Sequence, residues 1–188
     1  MKKNLTVEET FDLAVKSYQE KKFHSAEKLY KEVLKKHPDH ANTYVNLGMV
    51  LKKLEKHKEA IDCYEKAIKI NPYDPNPHYN LGNLYKNFDK YEEAINFYNK
   101  AIEINPNNAD VYNNLGNVFK DLNEYKKAIN CYTKAIQINP NNAEVYNNLG
   151  LSYRKIGKST LSVDSYQKAL AKRTNIRLEV DNKLLPAT

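Results

Sequence analysis

Asn46, Asn80, Asn114 and Asn148 recur at a constant interval of 34 residues, and Asp12 stands one interval earlier. A carboxamide carries donors and an acceptor, so each can pair with a peptide N–H and C=O together. Six residues after each comes a cation, Lys52, Lys86, Lys120 and Arg154, with Tyr18 in the first place. Such cations suit carboxylates and phosphates through charge-assisted hydrogen bonds. Asn83 and Asn117 follow two members of the row by three residues, while Phe11, Tyr79, Asn113 and Asn147 each directly precede one. Those neighbours can add side-chain selectivity. The chemistry is that of holding an extended protein segment, acidic or phosphorylated, rather than of turning over a substrate.

Catalytic arrangements are missing from the same reading. Every glycine except Gly157 falls at one position of the 34-residue interval, so no glycine-rich phosphate loop is present. His37 and His40 flank Pro38 in a turn, and two ligands are too few for a metal site. His24, His57 and His78 fall at unrelated positions, and Met49 and most of the tyrosines read as core. The expectation is a chain that is not an enzyme and has no cofactor or metal.

The chain has 188 residues, 28% charged and 41% hydrophobic, with a net charge of +7. Lys and Glu are interleaved as on solvated helix faces, and the charge is not joined by exposed stacking aromatics, which argues against nucleic acid. No run approaches the roughly 18 apolar residues of a membrane span. The N-terminus, MKKNLTVEET, has no apolar stretch behind its basic start, so a cytoplasmic location is expected. Cys63 and Cys131 share a repeat position two intervals apart, which argues against a bridge between them and for a reduced setting.

The interval defines the elements that position these residues. ADVYNNLGNVFKDLNEYKKAINCYTKAIQINPNN (109–142) aligns without a gap on PNPHYNLGNLYKNFDKYEEAINFYNKAIEINPNN (75–108). After a leader at 1–6, counting from Val7 gives units 7–40, 41–74, 75–108, 109–142 and 143–176, then a capping segment and tail at 177–188. Thr6 and Glu9 have capping-box spacing, which starts a helix at Val7. Positions 4, 7, 8 and 11 form an apolar stripe, as in Tyr112, Leu115, Gly116 and Phe119. A second stripe, such as Ala94, Ile95, Tyr98, Ala101, Ile102 and Ile104, follows a polar turn and ends at Asn-Pro. Glycine in mid-helix costs about 1 kcal/mol against alanine, so its return at position 8 points to close packing. Positions 2, 5, 6, 9, 12 and 13 point away from the first stripe, and these include the asparagine and cation rows.

The outer units depart from the pattern. Thr10 replaces the large residue at position 4 and Val33 the alanine at position 27. In the last unit Ser159, Ser162 and Thr174 replace an aromatic, an alanine and the proline. Without that proline the last helix is expected to run on, with Ile176, Val180 and Leu184 covering the end of the stack and Pro186 stopping it.

The pattern [Y/H]-x-x-L-G-x-x-[Y/F/L]-x8-A-x3-Y-x2-A-x4-P resembles the tetratricopeptide repeat and covers about nine-tenths of the chain. The resemblance implies an all-α, right-handed α-solenoid, a superhelix of helix–turn–helix hairpins with a C-terminal capping helix. It also implies a concave groove lined by the outward face of each first helix, and a role as a protein-interaction scaffold. The asparagine row is similar to that in the repeat region of O-linked N-acetylglucosamine transferases. Two readings of the row stay open: a ladder that grips a backbone, or a residue common to well-formed repeats. The family's carboxylate clamp for chaperone C-termini is not matched, because Tyr79, Glu144 and Asn148 stand where cations are needed. Two other functions fit the resemblance: the substrate-recognition region of a larger glycosyltransferase, and a self-assembling, organelle-associated scaffold that forms a homo-oligomer.

Overall fold

The structure, a computed structural model, describes the backbone of residues 5–184 and the side chains of residues 5–174. Among the described residues every regular element is an α-helix, and the fold class is the all-α solenoid. Two compact units divide the chain, Met1–Ile104 and Asn105–Thr188. The first holds α1 (Val7–Gln19), α2 (Phe23–Lys36), α3 (Ala41–Lys53), α4 (His57–Ile70), α5 (Pro75–Asn87) and α6 (Tyr91–Ile104). The second holds α7 (Ala109–Asp121), α8 (Tyr125–Ile138), α9 (Ala143–Lys155) and α10 (Ser159–Leu184). The side chains of Ile176, Val180 and Leu184, expected to cap the stack, and Pro186 lie outside the described residues.

Local chemistry sets the helix ends. Thr6 and Glu9 form the expected capping box, and Asp74, Asn108 and Asn142 cap α5, α7 and α9 through side-chain oxygens. His40 takes that place at α3, where its Nδ1 accepts the Thr43 N–H. Each hairpin turn is a Schellman closure: between α7 and α8, for example, the Glu124 N–H donates to the Phe119 carbonyl and the Asn123 N–H to the Lys120 carbonyl. The closure requires positive φ at position 15, adopted by Lys21, Glu55, Asp89, Asn123 and Gly157. Only the last three advertise that conformation by residue type.

Within each unit the first helices are buried over a wider arc than the stripe at positions 4, 7, 8 and 11. Val50, Leu84 and Val118 at position 10 and Thr43 and Val111 at position 3 are all 0% exposed. α3 shows the reason: it packs on the second helix of its own repeat, α4, on the second helix before it, α2, and on the neighbouring first helix, α1.

The recurring glycine admits a ring. A Cβ on Gly48, Gly82 or Gly116 would lie 2.6 Å from Cε1 of Tyr64, Tyr98 or Tyr132 respectively. These tyrosines are fully buried, and burial pushes their hydroxyl pKa values up. Tyr30, the first-repeat equivalent, is pushed up to about 12 by the same cause. In the last repeat Ser162 replaces the small alanine without a polar penalty, since its buried Oγ donates to the Gly150 carbonyl at 2.8 Å. Glu27 occupies the place of an isoleucine in the three repeats that follow. Burial opposes its charge, but hydrogen bonds from Lys31 and Lys56 outweigh it and hold the carboxyl below its usual range. Cys63 and Cys131 are free thiols, each pushed up to about 11 mainly by burial.

Candidate functional site

The first unit contains a cleft of about 470 Å³ whose walls are the first helices of three repeats. Phe11 of α1 and Tyr79 of α5 both sit at position 5, two repeats apart. Between them α3 contributes Asn42, Val45, Asn46 and Met49. From α5 and its cap come Asp74, Asn76 and Asn80. The structure therefore brings Asn46, Asn80 and Tyr79 of the sequence-derived set around one concavity. Met49, read as core from the sequence, is half-buried: it packs against the core and also lines the cleft. It stands at position 9, off the apolar stripe, which accounts for the side it leaves open to the cleft.

The asparagines are engaged to different degrees. Asn46 hydrogen-bonds the Tyr30 hydroxyl. Asn83 accepts from the Tyr98 hydroxyl at 2.7 Å, and Asn117 accepts from Tyr132 at 2.8 Å. Asn148 Nδ2 donates to the same Asn117 oxygen at 3.1 Å, which fills both acceptor sites of that oxygen. Asn114 and Asn147 are half-buried. Asn113 departs from the outward face assigned to position 5: it is 9% exposed, and its Oδ1 lacks a hydrogen-bond partner. Val45, at the same position, is buried too. Position 5 marks the edge of the covered arc.

Of the cation row, Lys52, Lys86 and Lys120 are half-buried and Arg154 is exposed. Burial first, then Lys53 and Lys86, holds the Lys52 ammonium below its usual range. Lys120 lies 3.8 Å from the Asp121 carboxylate. The first unit thus sets a crowded positive edge beside the cleft, whereas the second unit partly neutralises its own. Among the described residues no group of three or more His, Cys, Asp or Glu side chains is placed to hold a metal ion. No described helix is long and apolar enough to cross a membrane.

Family models of the tetratricopeptide repeat match residues 41–74 and 63–96, and a TPR repeat model matches 89–122 and 116–157. A crystal structure of MamA is 30% identical, covers 87% of this chain and 96% of that chain, and superposes with a TM-score of 0.80. A second crystal structure of MamA protein is 29% identical over 97% of both chains, with a TM-score of 0.78. YrrB, described as a TPR protein with an unusual peptide-binding site, shares the fold at 20% identity over 96% of this chain and 93% of its own, TM-score 0.72. No match was found among curated protein sequences. Repeated helical hairpins with a glycine under a buried tyrosine, matched by these repeat models and by MamA, place the chain in the tetratricopeptide repeat family.

Proposed function

We propose that this protein is a non-enzymatic, cytoplasmic interaction scaffold that holds an extended acidic or phosphorylated segment of a partner protein. The observation that carries the reading is the half-buried Lys52, whose ammonium is disfavoured first by burial and then by two more lysines, Lys53 and Lys86. An anionic ligand relieves that repulsion and gains charge-assisted hydrogen bonds in a partly desolvated place. Asn46 and Asn80 in the first unit, and Asn114 and Asn148 in the second, supply carboxamides for a segment's backbone. YrrB, with its peptide-binding site, is consistent with a peptide ligand. Neither the repeat models nor the similar structures favour the glycosyltransferase or organelle-associated alternatives.

Selection from a library of random twelve-residue peptides tests the reading. The selected peptides are expected to be acidic, to bind more weakly as salt rises, and to lose at least tenfold in affinity for a Lys52→Glu/Lys86→Glu variant. The paired changes Asn46→Ala/Asn80→Ala and Asn114→Ala/Asn148→Ala assign the contribution of each unit. Peptides that bind the charge-reversed variant as well as the parent would sink the proposal.

A further inference from the structure

In the second unit a three-membered chain links Tyr132, Asn117 and Asn148: the hydroxyl and the Asn148 amide both donate to the Asn117 Oδ1. The third repeat repeats the first link, from Tyr98 to Asn83. The second repeat breaks it. Met49 occupies the place of the bridging asparagine, and the Tyr64 hydroxyl, fully buried, has no hydrogen-bond partner. Asn80 is the equivalent of Asn148 there, and Met49 and Asn80 both line the cleft. Leaving a buried hydroxyl unpaired costs about 1–3 kcal/mol, so the break is maintained against stability.

We infer that the break is a specificity subsite: the cleft seats one large apolar side chain of the bound segment on Val45 and Met49, and Asn80 and Tyr64 pair with that segment's backbone. The inference rests on the groove reading above and narrows its ligand. The side walls are aromatic, Phe11 and Tyr79, and the cleft is of the size that takes ligand groups. Met49 is unbranched and adaptable, so it can shift to let a backbone carbonyl accept from Tyr64.

The flanks of the cleft make the recognition one-sided. Along α3, Lys52 lies seven residues beyond Val45, a rise of about 10 Å, which an extended segment spans in about three residues. On the opposite flank stands the Asp74 carboxylate, whose Oδ1 caps α5 by accepting from the Asn76 N–H at 2.9 Å. An acidic residue is therefore attracted on the lysine side and repelled on the aspartate side. The ligand class is a segment with an apolar anchor followed, on one side only, by an acidic or phosphorylated residue about three positions away.

Fluorescein-labelled synthetic peptides test this directly. One set carries Leu, Phe or Gly at the centre, with Glu placed one to four residues to either side. Binding by anisotropy is expected to be at least tenfold tighter with Leu or Phe than with Gly, and to depend on which side the Glu occupies. The variant Met49→Asn restores the missing bridge, so its urea midpoint is expected to rise while its affinity for the Leu peptide falls about tenfold. Met49→Leu keeps the apolar floor and is expected to retain binding. A central Gly that binds as well as Leu, or a Met49→Asn variant that binds like the parent, overturns the subsite. If acidic peptides still bind in a manner sensitive to Lys52→Glu/Lys86→Glu, only the subsite falls. If no acidic peptide binds, the groove reading falls with it.

Discussion

Raising the pH above 10 is expected to unfold this protein, and the cause is the four buried tyrosines. Unfolded tyrosine titrates near pH 10, whereas burial pushes Tyr30 up to about 12 and also raises Tyr64, Tyr98 and Tyr132. Between those values the unfolded chain has lost protons that the folded chain keeps, so stability falls as pH rises. The contribution is fully present below pH 10 and is lost as pH climbs towards the folded values. Tyr30 alone accounts for about 3 kcal/mol on the scale of 1.36 kcal/mol per pKa unit, against a total stability of about 5–15 kcal/mol for ordinary domains. Absorbance at the tyrosinate band should show exposed tyrosines titrating first and the buried group appearing together with loss of helix by circular dichroism. Smooth titration of all fifteen tyrosines with helix content unchanged would contradict it.

Alanine at Gly116 is expected to cost about 2 kcal/mol, although alanine is the better helix former by about 1 kcal/mol. Its Cβ would sit 2.6 Å from the Tyr132 ring, which is fully buried and pinned by the bond to Asn117. The first repeat shows what relief requires. There Ala14 occupies the glycine's position, and the Tyr30 hydroxyl pairs with Asn46 on the next first helix rather than within its own hairpin. Gly150→Ala is expected to cost less, because the nearest ring atoms of Tyr166 lie at 3.0 Å and that ring is only half-buried. Urea midpoints for Gly116→Ala, Gly150→Ala and the combination of Gly116→Ala with Tyr132→Leu measure the series. If the smaller partner does not recover stability, the clash is not the cause.

The sequence was most informative where a short-range rule acts alone. The capping box at Thr6 and Glu9 depends on four consecutive residues, and Asn-Pro ends a helix whatever surrounds it. The glycine at position 8 showed that something must come close, but the approaching group, a tyrosine sixteen residues later, is settled only by packing. Position 5 was harder still. Asn113 and Val45 are buried while Phe11 and Tyr79 wall the cleft, because coverage at the edge of an arc depends on the size of the neighbours. The left-handed residues Lys21 and Glu55 carry no signal of their own, since the Schellman closure imposes the conformation on whatever stands there. Met49 reads as core from its residue type and does pack against the core, but its place in breaking a hydrogen-bond chain is not displayed by a single repeat.

The two thiols, Cys63 buried and Cys131 half-buried, carry a consequence for how the array opens. Cys63 belongs to the first unit and Cys131 to the second, and each is held far from its thiolate form while its repeat is closed. Only a thiolate alkylates readily, so the rate with iodoacetamide rises when burial is relieved. Each unit thereby carries its own chemical clock. In an array whose repeats contact mainly their neighbours, partial unfolding from one end separates the two rates, whereas concerted unfolding makes them coincide. Mass spectrometry of the two cysteine-containing peptides would thus time the opening of each half of the chain without any engineered probe.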